Sequence, residues 1–154
     1  EIMSSDWSSD VCSSDLSIQA AILNVKLKYL DKFAAARQQA AAHYDKAFQH
    51  ISQLQIPKRQ HNSTHVFHQY TLQVRDGQRD ALQAFLQERG IPTMIYYPVP
   101  LYEQKAFKGA MANPIDQLPV TDMLCKSVLS LPMHPDLDQE SLEYISAGVA
   151  EFFS

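Results

Sequence analysis

The 154 residues carry 13 Lys and Arg against 17 Asp and Glu, a formal charge of -4, with 45% hydrophobic and 19% charged residues. This is the composition of a soluble domain with one core, and it excludes a disordered or fibrous chain. No Lys/Arg run offers the clustered basic surface that nucleic acid or an anionic membrane requires, no apolar stretch approaches the roughly 20 residues that cross a bilayer, and no basic lead precedes an apolar N-terminal segment. A cytoplasmic protein with neither a nucleic-acid nor a membrane partner is expected. Two cysteines, Cys12 and Cys125, make neither a disulfide framework nor a zinc site by themselves.

The chain begins with SSDWSSDVCSSDL, Ser4 to Leu16, three Ser-Ser-Asp triplets around Trp7 and Cys12. A flexible leader over 1–16 is expected, with Ser14 or Asp15 available to cap a helix starting near Ser17. From Ile18 the apolar positions Ile22, Val25, Tyr29, Phe33, Ala36, Ala40, Tyr44, Ala47 and Ile51 advance by threes and fours. That period predicts one amphipathic helix over 17–51, about 50 Å long, with an Ala-rich middle that another element can approach closely. Pro57 closes the segment, and a small α/β domain is expected over 52–154.

In VFHQYTLQV, residues Val66, His68, Tyr70, Leu72 and Val74 share one parity, which predicts a strand with a buried face. Asp76 is positioned to cap a helix that buries Leu82, Phe85 and Leu86; Gly90 suits its left-handed end, Ile91 the contact after it and Pro92 the stop. TMIYYPVP predicts a short strand ended by Pro98 and Pro100, followed by a loop containing Gly109, Asn113 and Pro114. A short helix with Pro119 in its first turn leads into the strand VLSLP. The last helix has Asp138 as N-cap, a Leu137–Leu142 staple, and Leu142, Ile145, Val149 and Phe152 as its stripe. The fold class is α/β: a small sheet, antiparallel or mixed, covered by helices.

Few residues point to chemistry. His61, His65 and His68 form an H-x3-H-x2-H cluster, but His65 and His68 have opposite strand parity and no carboxylate or thiol is near in sequence, so no metal site is expected. Lys26, Lys28, Lys32 and Lys46 sit at polar helix positions as solvated charges. In MIYYPVPLYEQ, Tyr96, Tyr97 and Tyr102 alternate with rigid prolines, which either hold phenols toward a ligand or pack an edge. With four glycines and no phosphate loop, nucleophile elbow or carboxylate pair, the residues alone leave open a small-molecule-binding regulatory module that uses the tyrosine turn and an interaction module that uses the Ala-rich face around Ala36 and Ala40.

Four segments in order, SIQAAILNVKLKYLDKFAAARQQAAAHYDKAF, HVFHQYTLQV, RDALQAFLQERGIPTMIYYPVPLYEQ and VLSLPMHPDLDQESLEYI, resemble the DegT-type sugar aminotransferases, pyridoxal-phosphate enzymes of the aspartate-aminotransferase fold type (fold type I). The resemblance covers the chain from Ser17 and implies its C-terminal part: the helix that links the domains, then the small domain. The parent would move an amino group from an amino acid such as glutamate to a keto-sugar nucleotide, as a homodimer. The cofactor-binding large domain and its aldimine lysine are absent, no lysine here matches that motif, and the fragment is expected to be inactive and to hold no cofactor stably. The family's His-Tyr-Pro or Tyr-Tyr-Pro motif stands as Tyr96, Tyr97 and Pro98, which makes the two tyrosines the candidates for substrate contact. His68 and Tyr70 match a strand motif with a structural role. The family often has histidine at Tyr102, and its upstream Asn-x-Arg with a following Asp would fall on Cys12, Ser14 and Leu16, none of which matches. Asp6 to Leu16 instead resembles the translation of a common sequencing-adapter oligonucleotide.

Overall fold

The computed structural model describes residues 9–107 and 118–154. In chain order the elements are α1 (Ser9–Leu27), α2 (Leu30–Phe48), β1 (Leu54–Gln55), β2 (Tyr70–Val74), α3 (Arg79–Glu88), a 3-10 turn (Leu101–Glu103), α4 (Pro119–Ser127), β3 (Val128–Leu131) and α5 (Gln139–Phe152). The predicted loop residues Gly109, Asn113 and Pro114 lie outside the described residues.

The long helix is divided. Lys28 and Tyr29 interrupt it, with Tyr29 at φ -109° and ψ 3°, and neither proline nor glycine is involved. Burial changes there instead: every side chain from Leu16 to Lys32 is exposed, whereas Ala40, Ala41, Tyr44 and Phe48 of α2 are buried. The interruption marks the point where the helix leaves the body of the domain. At the other end α1 begins at Ser9, so Ser14 and Asp15 lie within it rather than at a cap.

The three strands form an antiparallel sheet in the order β1-β2-β3. Its register explains its two faces. Leu54 opposes Val74, Tyr70 opposes Leu131 and Leu72 opposes Leu129, all buried, while Gln55 opposes Gln73 and Thr71 opposes Ser130 on the other side. A slip of one residue would exchange the faces. The two-residue β1 was not foreseen, because two positions show no period.

Helices α2, α3 and α5 cover the apolar face with Tyr44, Phe48, Leu82, Leu86, Leu142, Ile145 and Val149. The Tyr44 ring lies 5.0 Å from that of Tyr70, and its hydroxyl donates to the Pro132 carbonyl at 3.0 Å. Helix α4 lies on the opposite face, where Gln73 Nε2 meets Met123 Sδ at 3.4 Å.

The predicted strand over 66–74 is shorter at its start. Phe67, at φ 50°, turns its ring into the core, while Val66 is 54% exposed and His68 is exposed too. Side chains force this irregularity: the Phe67 N–H donates to His65 Nδ1 at 2.9 Å, and Arg59 lies 4.7 Å over the Phe67 ring while ion-pairing with Asp45. Asp76 is likewise not a cap. Asp76 and Gly77 both have positive φ, 58° and 68°, and the Gln78 N–H donates to the Arg75 carbonyl at 3.2 Å, the pattern of a type I′ turn. Gln78 precedes α3 with no side-chain cap.

Two helix ends follow the residues closely. At the end of α3, Gly90 takes φ 71°, its N–H donates to the Gln87 carbonyl and that of Ile91 to the Leu86 carbonyl, both at 2.9 Å. This is the Schellman pair, sealed by buried Ile91 and Leu86. Asp138 accepts from the Ser141 N–H at 2.8 Å and caps α5; that hydrogen bond holds its carboxyl below the usual range.

Candidate functional site

The tyrosine turn hangs from the sheet edge. The predicted strand TMIYYPVP is reduced to one antiparallel bridge: Met94 N–H donates to the Ser130 carbonyl at 3.0 Å and Ser130 N–H to the Met94 carbonyl at 2.7 Å. Prolines on both sides prevent a longer ladder. Ser130 turns its side chain toward Thr71, and the two hydroxyls lie 2.8 Å apart.

Beyond the bridge the chain exposes both candidate tyrosines. Tyr96 is 42% and Tyr97 70% exposed, with ring centroids 5.9 Å apart at 81° and a cis peptide between them. Tyr96 separates two clefts. One, of about 280 Å³, is lined by His68, Thr93, Met94, Tyr96, Ser130 and Met133 among others. The second, of about 300 Å³, lies between the turn and α4, where Tyr97, Pro100, Leu101, Thr121, Leu124 and Cys125 form much of its wall. Both offer aromatic and apolar walls with neutral hydroxyls and no charged side chain apart from whatever proton His68 carries. Such surfaces bind by stacking and hydrogen bonding.

Tyr102 plays a different part from its two neighbours. It is half-buried, and its hydroxyl donates to Asp122 Oδ1 on α4. That hydrogen bond, with partial desolvation second, pushes the phenol up to about 12. Tyr102 is therefore a strut between the turn and α4. Arg79 was not foreseen as a structural residue: it is buried, and its guanidinium donates to the Cys125 and Val128 carbonyls at 3.2 and 3.1 Å. It ties the start of α3 to the α4–β3 junction, which forms one side of the second cleft. The signal available was an Arg on the apolar face of an amphipathic helix, three residues before Leu82.

His68 joins Tyr96 in the first cleft, a placement hidden by the assumption that the strand already ran through it. His65 is engaged with Phe67, and among the described residues no three His, Cys, Asp or Glu side chains gather as a metal site. Tyr70 is buried and donates to Asp45 at 2.9 Å, in keeping with a structural role, and burial raises its phenol well above the usual range. Every described lysine is exposed, and neither cleft contains a lysine or a carboxylate. These residues do not fit pyridoxal phosphate, which needs a desolvated lysine to hold it and an acidic partner for its ring. The Ala-rich face is also occupied, since Ala40 and Ala41 are 2% and 0% exposed where α2 meets α5.

An α/β unit with a small antiparallel sheet, three helices on one face and a tyrosine turn at the edge has the fold of the fold type I aminotransferases. Residues 16–150 match the DegT/DnrJ/EryC1/StrS aminotransferase family, and the chain belongs to it. It is 43% identical over 138 residues to a pleiotropic regulatory protein of Geobacillus stearothermophilus, covering 88% of this chain and 36% of that one. It is 39% identical over 132 residues to the UDP-2-acetamido-2-deoxy-3-oxo-D-glucuronate aminotransferase of Pseudomonas aeruginosa, covering 86% and 35%. A crystal structure of a DegT DnrJ EryC1 StrS aminotransferase from Brucella abortus superposes with a TM-score of 0.80 at 34% identity, covering 89% of this chain and 35% of that one. The chain thus spans about a third of the length of the relatives it matches. No helix among the described residues is long and apolar enough to cross a membrane.

Proposed function

We infer that this chain is the small-domain portion of a nucleotide-sugar aminotransferase, a cytoplasmic homodimer that moves an amino group from glutamate or a similar donor to a keto-sugar nucleotide with pyridoxal phosphate. The observation that carries this is the family match over 16–150, together with relatives such as the Pseudomonas enzyme, whose name specifies a UDP-sugar substrate. In this reading residues 17–51 link the domains, 52–154 form the small domain, and the adapter-like stretch ahead of Ser17 is foreign to the enzyme; the family match begins only at residue 16. The cofactor supplies the amino-group chemistry from a domain outside this chain.

The role of the small domain is to bind and orient. Tyr96 and Tyr97 present two phenols and two ring faces to the sugar nucleotide, and the strut from Tyr102 to Asp122 keeps the turn from swinging. Closure of this neutral, partly apolar wall over the substrate excludes water. In the whole enzyme Tyr97→Ala raises KM for the nucleotide sugar roughly tenfold, the loss of a stacked ring, and leaves the half-reaction with the amino donor unchanged. Equal losses in both half-reactions would place Tyr97 outside the sugar site.

The chain alone is inactive. Mixed with pyridoxal phosphate and dialysed, it retains no absorption band of bound cofactor; a band that persists overturns the reading. The genomic frame upstream of Ser17 encodes an aminotransferase large domain, and an unrelated sequence there would be equally decisive. A regulatory module is the second reading, supported only by the name of the Geobacillus relative, and it requires small-molecule binding by this chain in isolation.

A further inference from the structure

The exposed apolar residues of α1 fall on two stripes rather than one. Ile18, Ile22, Val25 and Tyr29 form the stripe that runs into the body, since the Tyr29 ring lies 6.1 Å from that of Phe33. Leu16, Leu23 and Leu30 recur every seventh residue, with Leu27 four residues after Leu23, and these four are 59%, 63%, 56% and 66% exposed in chain order Leu16, Leu23, Leu30, then Leu27. At 100° per residue the leucine stripe lies roughly 140° around the helix from the first. It points away from the domain. A helix apolar on two sides is built for two neighbours.

The leucine spacing is that of a coiled-coil seam, with Leu16, Leu23 and Leu30 at d, and Ala20 and Leu27 at a. Leucine at d suits a two-stranded coil. The path stays helical past Lys28: Tyr29 N–H donates to the Lys26 carbonyl and Phe33 N–H to the Tyr29 carbonyl, both at 2.9 Å, so Leu30 remains near the seam. In this register Lys26 stands at g and Asp31 at the following e. A parallel pair brings g of one helix to e of the other, so Lys26 of each copy faces Asp31 of the second copy, twice by symmetry. An antiparallel pair, with g facing g and e facing e, offers no such contact.

We propose that α1 docks a second copy of this chain through the leucine seam, as a parallel two-helix coil. This assignment does not depend on the aminotransferase reading. Sedimentation equilibrium of the whole chain over a concentration series tests it, with far-UV circular dichroism to verify that each variant is folded. The expected result is a reversible rise from the mass of one chain toward two. Leu23→Glu with Leu27→Glu abolishes the rise, Ile22→Glu with Val25→Glu on the other stripe preserves it, Lys26→Glu raises the dimer Kd several-fold, and Lys26→Glu with Asp31→Lys restores it. A single-chain mass at every concentration, a mass that climbs past two chains, equal loss in the Ile22/Val25 pair, or no restoration by the charge swap would overturn the proposal.

Discussion

Buried Arg79 shows how one side chain can serve two elements. Its guanidinium reaches carbonyls at Cys125 and Val128, more than forty positions away in sequence, and a lysine cannot span both with a single ammonium. Arg79→Ala is expected to lower stability by about 2–3 kcal/mol, since charged hydrogen bonds are lost and two carbonyls lose a donor. Arg79→Lys should recover less than half of it. Chemical denaturation of the three proteins measures this, and an Arg79→Ala midpoint equal to that of the parent would remove Arg79 from the framework.

Tyr102 makes a prediction in pH. Its phenol is held up to about 12 by the bond to Asp122, against about 10 for a free tyrosine. A raised pKa in the folded chain favours the protonated form, so the contribution of the strut is complete below pH about 10 and disappears as pH rises toward 12. The tyrosinate difference spectrum between the parent and Tyr102→Phe should therefore titrate near 12. A midpoint at the ordinary tyrosine value would mean that the strut does not form in solution.

At the scale of elements, two glycines solve different problems. Gly90 ends α3 at positive φ with open space around an added Cβ, so Gly90→Ala meets only backbone strain, about 1 kcal/mol. Gly148 sits inside α5, where an added Cβ would lie 2.9 Å from Ile91 Cδ1 and 3.4 Å from Leu86 Cδ2. It lets α5 approach the end of α3. Those two atoms are the tips of side chains and can give way to one methyl, but not to a larger group; Gly148→Leu should cost more than 2 kcal/mol by overpacking. Thermal unfolding that ranks Gly90→Ala below Gly148→Leu in stability would reverse this assignment.

These ends also show which elements were legible. The Schellman end at Gly90 and the Asp138 cap appear as read, because each depends on contacts within one turn of chain. The start of β2 and the supposed Asp76 cap do not, because Phe67 and Asp76 take positive φ under the direction of His65, Arg59 and the turn into α3. Parity and cap residues cannot show a backbone reversal of this kind.

Over the whole molecule, stability should fall steeply from the body to α1. Ala40 to Phe48 of α2 lie in the core, whereas Leu16 to Lys32 are exposed throughout. Amide hydrogen exchange should thus be fastest in α1 and slowest in the Ala40–Phe48 turns and β2, with a sharp step near Tyr29. Uniform protection along both helices would show that the division at Lys28 and Tyr29 has no counterpart in solution.

Local order, periodicity and composition were enough to determine the α/β class, the helices that make the core, the antiparallel or mixed sheet, and the tyrosine turn as a candidate contact; the resemblance from Ser17 onward then located the chain within its family. Those features depend on residues near one another in sequence, where the helical period, alternation and proline positions act directly. Tertiary structure alone decided that His68 joins Tyr96, that Tyr102 faces α4 while Tyr96 and Tyr97 face outward, and that the Ala-rich face is already covered. Each of these depends on a partner dozens of residues away, whose position is set by packing and by the register of the sheet rather than by any pattern along the chain.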